Sequence, residues 1–378
     1  MDKKPLSIFL VNCDWRDIFG TSPAEFRDKL ERDRLGASLN NFFVFSWART
    51  NYEKTVDNVS SVHEATRFDV FRPLLDIVTF VKVFFIARKK KLQPDVWFCY
   101  DFGFIPGLWL AKTIIGSGKI VMCLNNQPRI YSNTRKFGWI KSIYSAYIEY
   151  AFSPLVDHFF TINETMKEYI KKLGVPEKDI SVFSMNTIDR DRKFIAAVKK
   201  GSIREKYAIP ASSKIILTVA RLEAEKNYPK LLELFVSLGE GYTLIALGRG
   251  SLLGQLQEQA KKLGIEKRVF FAGFVHRDEI WNYYADADAF VLLSKAEALG
   301  VVFWEAMHVR VPVLGSDVPG IVETLGNNGE RGRIWKDSYT KEDFKRIMES
   351  LQDEAVIERA HAFVQEKISN NLTINDIV

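Results

Sequence analysis

Two glutamates, Glu297 and Glu305, stand in the run SKAEALGVVFWEAMHVRVPVLGSDVPG (294–320), which is otherwise mostly small and apolar. Carboxylates accept hydrogen bonds from paired hydroxyls, the groups that sugars and ribose present. Their spacing of eight is no signal in itself, because Glu225/Glu233, Glu258/Glu266 and Glu358/Glu366 repeat it; about one or two such pairs are expected by chance. The surroundings single this pair out. AFVLLS (289–294) reads as a buried strand, Glu297 falls in the loop at its carboxyl end, Gly300 eases a turn, and Val301 to His308 reads as a helix. The first N–H groups of that helix form a natural anion site. Glu305 lies one turn after Val301, so both carboxylates are expected to face one pocket.

Further chemistry clusters at other strand ends. KIILTVA (214–220) runs into Arg221, and Lys226 precedes a helix that Asn227 is expected to cap and Pro229 to start. Two cations beside a helix N-terminus suit a phosphate. YTLIALG (242–248) ends in Gly248-Arg249-Gly250-Ser251, a turn that lets backbone approach a ligand. It fails the dinucleotide fingerprint, because Leu253 stands where the third glycine belongs, and nicotinamide binding is disfavoured. Asp286-Ala287-Asp288 resembles a metal-holding carboxylate pair but precedes a strand, so solvation at a helix end is the expected reading. The five histidines have no paired spacing, and no metal is expected.

These residues need a scaffold. At 378 residues the chain is too long for one ordinary core, and 47% apolar with 26% charged residues describes a globular protein. Short apolar strands alternate with helix-length segments, the mark of parallel sheets with crossover helices. The strands of the first half are expected at 7–12, 41–47, 95–100, 119–124 and 156–162, with helices at 70–88, 104–115, 137–151 and 164–173. A charged linker with a short helix follows (186–213), then strands at 214–220, 242–248, 268–273, 289–294 and 311–316. The fold class is α/β, with two Rossmann-like parallel-sheet domains, 1–186 and 187–364, facing each other across a cleft and the tail 365–378 returning to the first. In such sheets ligands bind beyond the carboxyl ends of the strands.

Three cysteines, Cys13, Cys99 and Cys123, form no close pair, which argues for reduced thiols in a cytoplasmic protein. LLDIVTFVKVFFIA (74–87) is too short and too charged for a membrane span. It leads into ARKKK (87–91), either a solvated helix end or a basic patch for anionic headgroups at a membrane's inner face. Basic and aromatic residues do not interleave elsewhere, so a nucleic-acid partner is not expected.

Three runs together, ARLEAEKNYPKLLELF, LIALGRGSLLGQLQEQAKKLGIEKRVFFAGFV and ADADAFVLLSKAEALGVVFWEAMHVRVPVLGSDVPGIVETL, resemble the carboxyl-terminal half of the GT-B, family 4 retaining glycosyltransferases. The resemblance implies that Arg221 and Lys226 bind the diphosphate of a nucleotide-sugar, that Glu297 meets the donor sugar, and that Glu305 takes the ribose hydroxyls. Backbone N–H groups of Leu299, Gly300 and Val301 would approach the phosphates, Gly248 and Gly250 would admit the donor, and Phe274 and Val275 would lie against the base. It also implies no cofactor or metal and an acceptor that is a glycan or lipid-linked.

The chain departs from the family at Ala298, where a glycine is usual, and at NCDWRD (12–17), where a glycine-rich loop is usual. Asn125 and Asn126 replace a histidine, and with Asp101 they are the candidates for the acceptor side. Two alternatives stay open: a nucleotide-sugar 2-epimerase of the same fold, and a non-catalytic nucleotide-sugar-binding partner protein.

Overall fold

The computed structural model describes residues 6–12, 39–48, 52–56, 59–65, 72–100, 102–124, 146–182, 188 and 191–369. The chain divides at Met185/Asn186 into two compact units.

The first unit is built on an eight-stranded sheet: β1 (Leu6–Asn12), β2 (Leu39–Ala48), β3 (Tyr52–Val56), β4 (Val59–Ala65), β5 (Val96–Cys99), β6 (Lys119–Leu124), β7 (His158–Thr161) and β8 (Ile180–Val182). The order is β3-β4-β2-β1-β5-β6-β7-β8, parallel throughout except for the antiparallel β3/β4 edge. β3, β4 and β8 were not expected. YEKTV and VSSVHEA are too polar to show the apolar run that betrays a buried strand, as suits a sheet edge, and β8 has three residues. The helices Arg72–Lys89, Ile105–Ile115 and Glu164–Lys172, together with a helical segment at 146–152, send side chains into a single core with Phe9, Trp97, Met122 and Phe159 of the sheet.

The second unit holds β9 (Lys214–Val219), β10 (Tyr242–Leu247), β11 (Val269–Gly273), β12 (Ala289–Leu292), β13 (Val313–Ser316) and β14 (Arg333–Trp335). All are parallel, in the order β11-β10-β9-β12-β13-β14. The chain leaves β9 toward one edge and later builds outward from β12 toward the other, so the strand order reverses between β9 and β12. β14 was missed because only RIW signals it, although its Trp335 is fully buried. Residues 365–369, expected with the first unit, continue the last helix, Glu354–Ser369, whose Phe363 ring meets Trp304 edge-on at 6.0 Å. The rest of that expected tail lies outside the described residues.

The linker folds into two short helices, Arg192–Ala196 and Ser202–Lys206. Asp286 and Asp288 tie it to the sheet, which corrects the expectation of solvated helix-end carboxylates. Asp286, 6% exposed, accepts from the backbone N–H of Gly201, of Ile203 at 2.8 Å and of Arg204 at 3.3 Å. Asp288 accepts from Ile215 N and from Arg204 Nη2, each at 2.7 Å. Asp288 directly precedes β12, whose Ala289 pairs with Ile216 of β9. The carboxylates therefore close the amino ends of the two central strands.

Asp286→Ala strands three backbone donors in a buried place, and urea unfolding is expected to show a loss of roughly 2–4 kcal/mol. A second expectation concerns His158, buried in β7 with Nε2 2.9 Å from Ser181 Oγ. Burial holds its pKa below the ordinary 6.5, opposed in part by Asp179 and reinforced by Lys119. The unfolded chain therefore takes up this proton first, so the stabilisation is complete above about pH 6.5 and is lost as pH falls toward the lower folded value. Thermal melts between neutral and mildly acid pH should show a steeper loss for the wild type than for His158→Gln.

Candidate active site at the strand-order reversal of the second unit

A reversal of strand order opens a crevice at the carboxyl ends of the two central strands. The loops that leave β9 and β12 meet there: Lys295 N–H donates to Glu225 O at 2.8 Å. Across the same junction Lys226 Nζ lies 2.6 Å from Glu297 Oε2, with the side chains 14% and 17% exposed. The pair joins residues 71 apart in sequence. Its partial cover lets a cation and a carboxylate interact more strongly than an exposed pair does. Neither charge is used up, since an ammonium has three donors and a carboxylate several lone pairs. The arrangement can offer a positive charge to an anion and an acceptor to a hydroxyl at one point.

The Glu297 loop is held from several sides. Gly300 adopts φ 66, and a Cβ there would stand 2.8 Å from the Phe303 ring. The helix Val301–His308 then begins with no side-chain cap, which leaves its first N–H groups to another acceptor. Gly320, at the start of the helix Pro319–Leu325, presses against Glu297 and Ala298; a Cβ would come within 2.3 Å of Glu297 O. Thr324 Oγ1 donates to Leu299 O at 2.9 Å, and Ser316 Oγ donates to Ser294 O. Leu299 is buried and Val301 half-buried.

Arg221 is the exposed charge beside this pair. It is 71% exposed, and its Nη2 meets Glu225 Oε1 at 2.7 Å within its own loop. Asn227 does not cap the next helix by its side chain as expected; it turns the chain in a left-handed conformation (φ 55), which asparagine tolerates, and Pro229 sits in the first turn.

Gly248 and Gly250 allow a close approach of backbone to backbone. A Cβ on Gly248 would lie 1.9 Å from Ala220 O, and one on Gly250 2.2 Å from Leu222 O. The space a Cβ would take is filled by the loop after β9, paired through Ala220 N to Leu247 O and Leu222 N to Arg249 O, both 3.0 Å. Arg221 sits between those two contacts. The glycines thus place a cation, and they do so through backbone packing.

Phe274 is 63% exposed with the Arg249 guanidinium 5.6 Å above its ring, and Val275 beside it is half-buried. Glu305 is 2% exposed and does not open outward. Arg277 Nη1 donates to Glu305 Oε1 at 2.6 Å and Tyr284 OH to Oε2 at 2.7 Å. Arg277 also pairs with the buried Asp191, which accepts from Trp281 Nε1 at 3.1 Å. Burial works against the Arg277 charge, but Glu305 and Asp191 outweigh it and raise its pKa. Burial and then the Glu305 charge push Tyr284 well above its ordinary value, so its hydroxyl stays a donor. Arg277 and Asp191 had no signal in the sequence, lying 28 and 114 positions from Glu305 in loops and helix starts with ordinary polar composition. Asn125, Asn126 and Asp101 lie outside the described residues.

Arg277→Ala leaves two buried carboxylates without their cation, and denaturant unfolding is expected to lose roughly 3–5 kcal/mol. Adding Glu305→Gln should return part of that loss, which a double-mutant cycle measures.

Residues 199–369 match the family described as Glycosyl transferases group 1. The chain is 28% identical, over 46% of its length and 45% of the relative's, to an uncharacterized glycosyltransferase of Methanocaldococcus jannaschii. It is 26% identical to the N-acetyl-alpha-D-glucosaminyl L-malate synthase of Bacillus anthracis, over 88% of this chain and 86% of that one. The chain thus spans about half the length of some curated relatives and most of others. Among solved structures, sucrose-phosphate synthase from Thermosynechococcus elongatus superposes with a TM-score of 0.73 at 15% identity, covering 98% and 96% of the two chains. Anabaena HepE in complex with UDP gives 0.68 at 17% identity, covering 96% of each. The strand orders and these structural likenesses agree on the fold, which is GT-B, and the second unit, over residues 199–369, is similar to the group 1 glycosyltransferases.

Proposed function

We propose that the protein transfers a sugar from a nucleotide-diphosphate-sugar to a glycan or lipid-linked acceptor, with retention of anomeric configuration and without a metal. The observation that carries this reading is the Lys226–Glu297 pair at the strand-order reversal, beside the uncapped start of the helix Val301–His308. The UDP bound to HepE, a structure of the same fold, supports a nucleotide donor.

In this reading the donor diphosphate takes over the positive charge of Lys226, and Arg221 turns to it from Glu225. The backbone N–H groups of Leu299, Gly300 and Val301 add their dipoles. These groups are in place before reaction and stabilise the charge that grows on the nucleoside diphosphate as the sugar C1–O bond breaks. Glu297, released from Lys226, accepts hydrogen bonds from the sugar hydroxyls and sets its position. The acceptor oxygen bonds to C1 on the face the nucleotide leaves, and its proton passes to the departing diphosphate oxygen. Phe274 and Val275 lie along the base. Glu305 belongs to the ribose side, where it also fixes the Arg277 and Tyr284 donors. Asn125, Asn126 and Asp101 are assigned to the acceptor. We place the protein in the cytoplasm, a reading supported by three cysteines that form no close pair in the sequence.

Incubation with a panel of nucleotide-sugars and a broad acceptor mixture, with nucleoside diphosphate release as readout, tests the proposal. One donor is expected to give release and a glycosylated product with unchanged anomeric configuration by NMR, undiminished by a chelator. Lys226→Ala and Glu297→Gln should each lower kcat/KM roughly 100- to 1000-fold. No release with any donor would overturn transfer; an inverted ring carbon without acceptor would point to the epimerase.

A further inference from the structure

Among the described residues eight large apolar side chains are exposed, and six of them, Val81, Phe85, Trp109, Ile114, Tyr147 and Tyr150, belong to three helical segments of the first unit. These are Arg72–Lys89, Ile105–Ile115 and 146–152. The crossovers β4 to β5, β5 to β6 and β6 to β7 all progress in one direction across the sheet. Right-handed crossovers running one way put their helices on one face. The inward residues agree, for Val83, Leu108 and Ile148 share a single core. The six exposed side chains therefore stand on the outer surface of one helical layer. Singly exposed apolar residues are ordinary, but a concentration on one layer marks an interaction surface.

Charge says what it would meet. Val81, Phe85, Arg88 and Lys89 fall at i, i+4, i+7 and i+8, an outward stripe that passes from apolar to basic and continues into exposed Lys90 and Lys91. Residues 81–91 and 105–115 contain six basic and no acidic residues, of which Lys112 pairs with Asp157 at 2.6 Å, and Glu149, the acid of 146–152, is buried against Tyr169. Lys91 also occupies a left-handed position (φ 52) that favours glycine, closing the helix through Leu92 N to Ala87 O at 2.9 Å. A basic side chain stands where the backbone alone would prefer none. Aromatic residues beside clustered lysines suit the interface of an anionic bilayer, and among the described residues no helix is long and apolar enough to cross one.

We propose that this three-helix face docks on the anionic surface of a lipid bilayer. Phe85, Trp109 and Tyr150 enter the headgroup zone, and Arg88 to Lys91 meet lipid phosphates. The surface lies on the first unit, whereas the donor site of the proposed function lies on the second.

Cosedimentation of the full chain with vesicles of phosphatidylcholine alone, and of phosphatidylcholine with phosphatidylglycerol, tests it. Binding is expected to the anionic vesicles only and to weaken with salt. Phe85→Ser with Trp109→Ser, and separately Arg88→Glu with Lys89→Glu, should each lower the bound fraction roughly tenfold or more at unchanged melting temperature. Lys91→Gly is the folding control: it should melt higher, by relief of its backbone, yet bind less. Absence of binding to anionic vesicles, or binding indifferent to these variants, overturns the proposal. So does a dimer in solution that Phe85→Ser dissociates while vesicles stay unbound, since the face would then serve a second copy.

Discussion

Parallel strands all deliver their loops to the same end of a sheet, and where the strand order reverses two of those loops must part and leave a crevice. In the second unit this happens between β9 and β12, and the chemistry depends on it. The β9 loop carries Arg221 and Lys226, the β12 loop carries Glu297, and the 2.6 Å contact of Lys226 with Glu297 is their meeting. A cation and a carboxylate set against each other at a crevice are held ready without either being neutralised by deep burial. The uncapped start of Val301–His308 adds partial positive charge at the same place.

Carboxylates in this unit do three different jobs, and burial separates them. Glu297 keeps 17% of its side chain exposed and pairs with a single lysine. Glu305 and Asp191 are buried and share Arg277, so they form a fixed ionic knot that costs desolvation and tolerates no missing member. Asp286 and Asp288 accept mainly backbone N–H groups and lock the linker to the amino ends of the central strands. The same side chain thus forms a partly exposed ion pair, a buried ionic knot or a backbone anchor according to the donors that surround it.

The glycines show a comparable division. Gly300 is needed for a left-handed turn, whereas Gly248 and Gly250 are needed because another stretch of backbone lies where their Cβ atoms would be. Both kinds act on the site at one remove. Gly300 aims the helix that follows Glu297, and Gly248 with Gly250 lets the β9 loop that carries Arg221 settle against the loop after β10.

The sequence by itself determined the α/β class, the apolar strands β1, β2, β5–β7 and β9–β13, the restart of the pattern after a charged linker, and the strand-end positions of Arg221, Lys226 and Glu297. Those features are local: an apolar run, a turn residue and a helix start are each written in a few neighbouring residues. The polar strands β3 and β4 at one side of the sheet and the three-residue β8 and β14 were illegible, because their pairing comes from the sheet they join and not from their own composition. The roles of Gly248 and Gly250, the burial of Glu305, and the knot with Arg277 and Asp191 were decided only by tertiary structure. Each rests on a contact between segments far apart in the chain, and a carboxylate or glycine carries no local mark of which distant group will fill the space beside it.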